Sequence, residues 1–186
     1  MKKYKGTIGY IQSAKIRTTC IAISEIIITI VIFMTGLVIH HGNRLNVFSL
    51  IAALGMIPTA MAIVSMIMFH LQKPISAKLY HQIRQAGEKH EIFYELPCTV
   101  HSGIVPIDAA FFTEDTMYCL PGGTGEIKEA LKREFISQFQ SRSKEHGIVC
   151  DILFPEADEF LEELQQASVD VRSQETIKEI LFSFVM

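Results

Sequence analysis

Asp108 closes an apolar, strand-like run, Gly103-Ile104-Val105-Pro106-Ile107-Asp108. An Asp on an apolar strand, followed by a tight acidic turn and a second strand, is either part of a catalytic hairpin or an ordinary hairpin residue. The second strand, "TMYCL", runs into Pro121 and the loop Gly122-Gly123-Thr124-Gly125. Backbone amides in a glycine-rich loop before a helix can bind an anion, which makes Gly122, Gly123 and Gly125 candidate ligand positions. The spacing fits neither the Walker pattern nor the dinucleotide fingerprint, and a flexible strand-to-helix loop accounts for it better. Cys98 and His101, with Cys119 and Cys150, contain zinc-ligand types. Their spacing matches no usual finger or ribbon, and free cysteines in apolar runs commonly pack as small hydrophobes. No metal or cofactor is expected. His90 and His146 fall at helix ends, and Ser102 and Ser143 have no His–acid partners evident in sequence.

Glu25 is the only charged residue between Thr18 and Asn43, and Leu45 to Gln72 contains none. Each run exceeds the ~20 residues a helix needs to cross a bilayer, and backbone groups in lipid must be satisfied within the segment. A helical hairpin is therefore expected over 18–71, with spans at 18–40 and 46–70 and a polar turn at His40–Arg44. Lys2, Lys3, Lys5, Lys15 and Arg17 precede it, and Lys73, Lys78, Arg84 and Lys89 follow. The positive-inside rule then puts both termini in the cytoplasm, on the inner (bacterial cell) membrane. Residues 1–17 form a basic cytoplasmic N-terminus. A cleaved signal peptide would need a shorter apolar core and a small-residue cleavage site, which "GLVIHHGN" does not offer. Within lipid, Glu25 lies at a depth similar to Ser65, so the two are a candidate polar pair. Alternatively Glu25 is protonated, or reaches toward Arg17 or the headgroups. Pro58 predicts a kink, and Gly55 with Thr59 forms a small-xxx-small pair for close helix approach. Homo-oligomerisation through the hairpin is open.

Residues 72–186 read as a cytoplasmic α/β domain. A helix over 75–89 carries Leu79, Ile83 and Ala86 on one face. Three strands follow, at 91–100, 103–112 and 116–120, the last two joined by Thr113-Glu114-Asp115. Ile127, Leu131, Phe135 and Phe139 mark a helix over 126–146. "IVCDILF" reads as a buried central strand, Pro155 opens another helix, "SVDV" is a short strand, and Ile177, Ile180, Leu181 and Phe184 define a last helix. This is a mixed sheet flanked by helices.

The order of elements and the Ile107-Asp108 hairpin resemble the nuclease-related domain family, of the restriction-endonuclease-like, PD-(D/E)XK group. "AAFF" follows the Asp, "TMYCL" matches the second strand, and "IVCDILFP" and "VDVRSQETIKEIL" resemble the closing strands and helix. The resemblance implies a restriction-endonuclease-like fold over most of residues 76–184. It also implies two carboxylates on Mg²⁺ and a lysine in a Glu-x-Lys element. Here those two positions fall on Pro121 and Gly123, which supply no ligand oxygen and no charge. His81 and Gln82 occupy the region of the upstream helical Glu. The alternative is an ordinary hairpin in an unrelated α/β domain.

From Lys73 onward, eleven Lys and Arg face nineteen Asp and Glu, a formal −8. Nucleic-acid binding usually requires a basic patch, so a nucleic-acid partner is not expected. Lys128, Lys132 and Arg133 alternate with Glu126, Glu129 and Glu134, as on a solvated helix face. The expectation is a two-pass membrane protein whose Asp108 is vestigial and whose domain binds an unidentified protein partner or senses. Two alternatives stay open: a divergent membrane-tethered nuclease using Asp151 or Glu95 beside Asp108, and a small-ligand sensor at the glycine loop.

Overall fold

A computed structural model describes residues 4–41, 43, 46–88, 90–113, 115–123, 127–167 and 174–186. The chain divides into two compact units, Ile11–Leu71 and Met1–Tyr10 with Gln72–Met186.

The first unit holds nearly all of α1 (Tyr10–Ile39) and the whole of α2 (Val47–Leu71). Both are long and apolar enough to cross a membrane. Helix α1 starts well before residue 18, because nothing from Tyr10 to Arg17 breaks a helix and the lysine and arginine there favour one. Asn46 joins the two helices. Its Oδ1 accepts from Ser49 N (2.9 Å), capping α2, and its Nδ2 donates to Gly36 O (3.3 Å). His40 and His41 form a turn, whereas Gly42 and Arg44 lie outside the described residues. Helix α2 continues through Pro58. The close approach falls at Gly55 and Thr59. Thr59 Oγ1 donates to Gly55 O (2.8 Å) and lies 3.3 Å from Thr29 Oγ1. The expected Glu25–Ser65 bond is not formed among the described residues: Ser65 Oγ donates to Met61 O at 3.0 Å. A helical hydroxyl satisfied by the carbonyl four residues back needs no other partner.

In the second unit α3 (Ala77–Ala86) is capped by Ser76, whose side chain accepts from Leu79 N. Strands β1 (Phe93–Val100), β2 (Gly103–Phe112), β3 (Thr116–Pro121) and β4 (Asp151–Leu153) form one mixed sheet in that order. The first three are antiparallel and β4 is parallel to β3. Helices α4 (Glu129–Glu145) and α6 (Gln174–Phe184) cover one face, α3 and α5 (Ala157–Gln166) the other. Gly147, at φ +71, ends α4, and Ile148 N donates to Ser143 O (2.9 Å). That places glycine one residue past the cap, where its left-handed conformation carries no steric cost.

Two expectations change. The "IVCDILF" run is not a buried central strand. Among the described residues β4 has three residues and one neighbour, and Val149 and Leu153 are exposed. Its apolar length reflects Cys150 and Ile152 dipping into the core. The "SVDV" strand lies outside the described residues. Residues 4–10, expected as part of a basic tail, join the α/β unit instead. Gly6 O accepts from Tyr94 N (2.9 Å), and Lys5 Nζ donates to Val185 O (2.5 Å). Tyr10 OH donates to Met186 O. Met186 N donates to Pro97 O (3.2 Å), and Cys98 bridges Val185. The outer edge of β1, which tolerates Pro97 for that reason, is thus covered by both chain ends.

Candidate functional site

The strand pattern breaks where the two acids sit. Along β1, Leu96, Cys98 and Val100 face the α4/α6 core at every second residue, yet so does Phe93, out of phase. Along β2, Val105 and Ile107 face that core, then Ala110 and Phe112. Each strand therefore holds one extra residue. The register shows which: Tyr94 pairs Ala109 and Leu96 pairs Ile107, with Glu95 and Asp108 left facing each other between them. Against β3 the shift is one-sided, since Ile107 pairs Pro121 and Ala109 pairs Leu120. Paired bulges of this kind occur beside functional sites.

Glu95 has φ +53 and is buried at 1% exposure. A non-glycine residue in the left-handed region costs on the order of 1 kcal/mol and persists only where its surroundings enforce it. Asp108 is half-buried. Its carboxyl is pushed up from the ordinary 3.8 to about 6, first by burial and then by Glu95. The backbone amide of Gly123, donating to the carboxylate, works the other way. A nearby like charge disfavours the ionised form of Asp108, which adds to the effect of burial.

The glycine loop closes on the same carboxyl. Gly122 N donates to Pro106 O (2.9 Å), which fixes the loop to β2. A Cβ on Gly122 would stand 2.5 Å from Asp108 Oδ1, so glycine is required by close approach. Gly123 takes φ +82 and would meet nothing with a Cβ. Gly125 lies outside the described residues. Pro121 and Gly123 occupy the end of β3 beside Asp108 and bring neither a carboxylate nor an ammonium group.

Asp108 opens into a cleft of about 880 Å³ between the end of β3, the start of α4 and the start of α5. Lys128, Glu129, Lys132 and Glu156 line it. Lys132 Nζ pairs with Glu129 Oε1 at 2.9 Å and sits over the Phe154 ring. Of the residues that read in sequence as a solvated helix face, Lys128, Glu129 and Lys132 stand at the cleft, at the start of α4. Arg133 is exposed elsewhere on the helix.

The other candidates separate. Asp151 pairs with Thr116, at the far end of β3 from Pro121, and is not beside Asp108. Cys98, Cys119 and Cys150 are buried in the α4/α6 core, and burial raises all three thiols, Cys150 to about 11. His101 is exposed at the β1–β2 turn. Among the described residues no group of three or more His, Cys, Asp or Glu is arranged to hold a metal ion. Ser143 is buried in α4, and its Oγ has no hydrogen-bond partner among the described residues. No family model, curated protein or solved structure matches this chain significantly.

Proposed function

We propose that this is a two-pass inner-membrane protein that presents a nuclease-like, restriction-endonuclease-type α/β domain to the cytoplasm as a non-catalytic interaction or sensing module. The observation that carries the reading is the occupation of Asp108. The Gly123 amide already donates to its carboxylate, Gly122 packs closely against its Oδ1, and burial with Glu95 raises it to about 6, which penalises the ionised form a cation would need. The partner positions at the end of β3, Pro121 and Gly123, offer no second ligand and no lysine. The acidic balance of the domain supports a protein partner over a nucleic acid. The unburied, largely apolar surfaces of α1 and α2 support membrane insertion. The basic flanks support cytoplasmic termini.

One observation favours a second reading, a divergent metal-dependent nuclease: Glu95 lies close enough to Asp108 to act on its charge, so two carboxylates stand where a divalent ion could join them. Isothermal calorimetry of the full chain in detergent with Mn²⁺, and cleavage of DNA and RNA, distinguish the two. The non-catalytic reading expects a flat titration and intact nucleic acid. Stoichiometric Mn²⁺ binding with cleavage that disappears in Asp108→Ala would establish the nuclease.

A further inference from the structure

A second cleft, of about 680 Å³, lies on the other side of α3, between its C-terminal half and the start of β1. Its size is that of a small-ligand site. Tyr80, His81, Arg84, Glu88, His90 and Tyr94 carry its chemistry. The Tyr80 and Tyr94 rings meet edge to face at 5.2 Å, and Tyr80 meets His81 at 5.5 Å. His90 packs against Phe111, a fully buried core residue, at 6.1 Å. The aromatic wall is therefore anchored to the sheet and cannot easily collapse into the space.

The wall is rich in donors and short of acceptors. Arg84 Nη1 donates to Tyr80 OH at 3.2 Å. This is the only bond described for a guanidinium with five N–H groups. Arg84 forms no ion pair among the described residues, and Glu88, the one carboxylate lining the cleft among them, leaves it unneutralised. Two phenols and two imidazoles converge on the same space. Burial pushes the Tyr94 phenol up to about 12, with Tyr80 adding to the rise and the Arg84 charge opposing it, so the phenol keeps its proton to donate. Planar, forked donation from arginine matches the oxygens of a phosphate.

We propose that the cleft between α3 and β1 binds a phosphate monoester, gripped by Arg84 and oriented by the Tyr80 and Tyr94 hydroxyls. Helix α3 begins six residues after α2 ends, so a lipid headgroup and a soluble metabolite are both within reach of this chemistry. Glycerol 3-phosphate and phosphatidic acid share the group and separate the two sources.

Two of the chain's five tyrosines, Tyr80 and Tyr94, line the cleft and the chain has no tryptophan, so tyrosine emission carries a signal from it, to be assigned by its loss in Tyr80→Phe. In one arm the full chain in phosphatidylcholine nanodiscs is titrated with glycerol 3-phosphate. In the other, emission is compared between phosphatidylcholine nanodiscs with and without phosphatidic acid. A saturable change in either arm is expected, and the arm that responds names the source. Arg84→Gln should weaken it roughly tenfold or more, and Glu88→Gln should strengthen it. Lys144→Gln, an exposed charge in the last turn of α4, should leave it unaltered. The proposal is overturned if neither arm responds, if Arg84→Gln responds like the parent chain, or if Glu88→Gln weakens binding.

Discussion

Asp108→Asn should stabilise the folded α/β unit, and the gain should depend on pH. The carboxyl titrates near 6 in the folded chain against an ordinary 3.8. The folded chain therefore binds the extra proton between about pH 4 and pH 6. Stability contributed by this group is present below the lower value and is lost as pH rises through the upper one. At 1.36 kcal/mol per pH unit the full displacement corresponds to about 3 kcal/mol. Asp108 is only half-buried, so solvent screening reduces the usable part to roughly 1–1.5 kcal/mol. Asparagine keeps the shape and still accepts from the Gly123 amide, but it never ionises. Urea unfolding of the full chain in detergent, followed by tyrosine emission at pH 4, 5.5 and 7.5, measures the difference. The variant should match the parent at pH 4 and exceed it by ~1 kcal/mol at pH 7.5. A gain that does not change with pH, or a loss at pH 7.5, would refute the account of Asp108 as a carboxyl whose ionised form is penalised by burial and by Glu95.

Glu95→Gln should lower the Asp108 midpoint, read by carbon-13 NMR of the carboxyl, but leave it above 3.8, since burial is the larger cause; an unmoved midpoint would show that the two acids do not face each other. Gly122→Ala should cost ~1–3 kcal/mol through the contact with Asp108 Oδ1, and much less in an Asp108→Ala background. Additive effects in that double-mutant cycle would place the strain elsewhere. Ser143→Ala should raise stability by about 1 kcal/mol in the same urea assay, because it removes a buried hydroxyl without a partner and adds helix propensity.

The elements with strong periodicity were legible in the sequence. Apolar residues at spacing four placed α4, the long uncharged runs placed α1 and α2, and the Thr113–Asp115 turn placed the β2–β3 hairpin. What period-two reading missed was the phase break. Phe93 and Leu96, like Ile107 and Ala110, are apolar residues three apart in a strand, which alternation forbids. Each pair brackets an acid, and that spacing was the available signal for a bulge at Glu95 and at Asp108. The facing of the two acids depends on β1–β2 register, which local sequence does not encode. The "IVCDILF" run misled for a related reason: a short strand at a helix junction and a long buried strand share an apolar composition, and only pairing separates them. The role of residues 4–10 was hidden because a backbone carbonyl at Gly6 and a lysine amine at Lys5 dock on β1 and α6 without any apolar pattern.

That docking bears on how the chain is arranged at a membrane. Residues 4–10 and 72–186 belong to one folded unit, joined by the Gly6–Tyr94 and Lys5–Val185 bonds. The chain thus leaves that unit into α1 and re-enters it after α2. If α1 and α2 insert in lipid, the number of crossings between leaving and returning must be even, or the unit would be torn between two compartments. Two spans satisfy this and one does not. The constraint is independent of the basic flanks, which choose only the side, so two unrelated physical arguments agree on a hairpin. Of the exposed large apolar side chains among the described residues, all but Tyr4, Val149 and Leu153 lie on these two helices. Apolar surface on that scale needs a covering, and a bilayer covers two largely apolar helices without requiring any particular face of either. Within the α/β unit, residues 4–10 bond one residue from Glu95, because it is Tyr94 N that donates to Gly6 O.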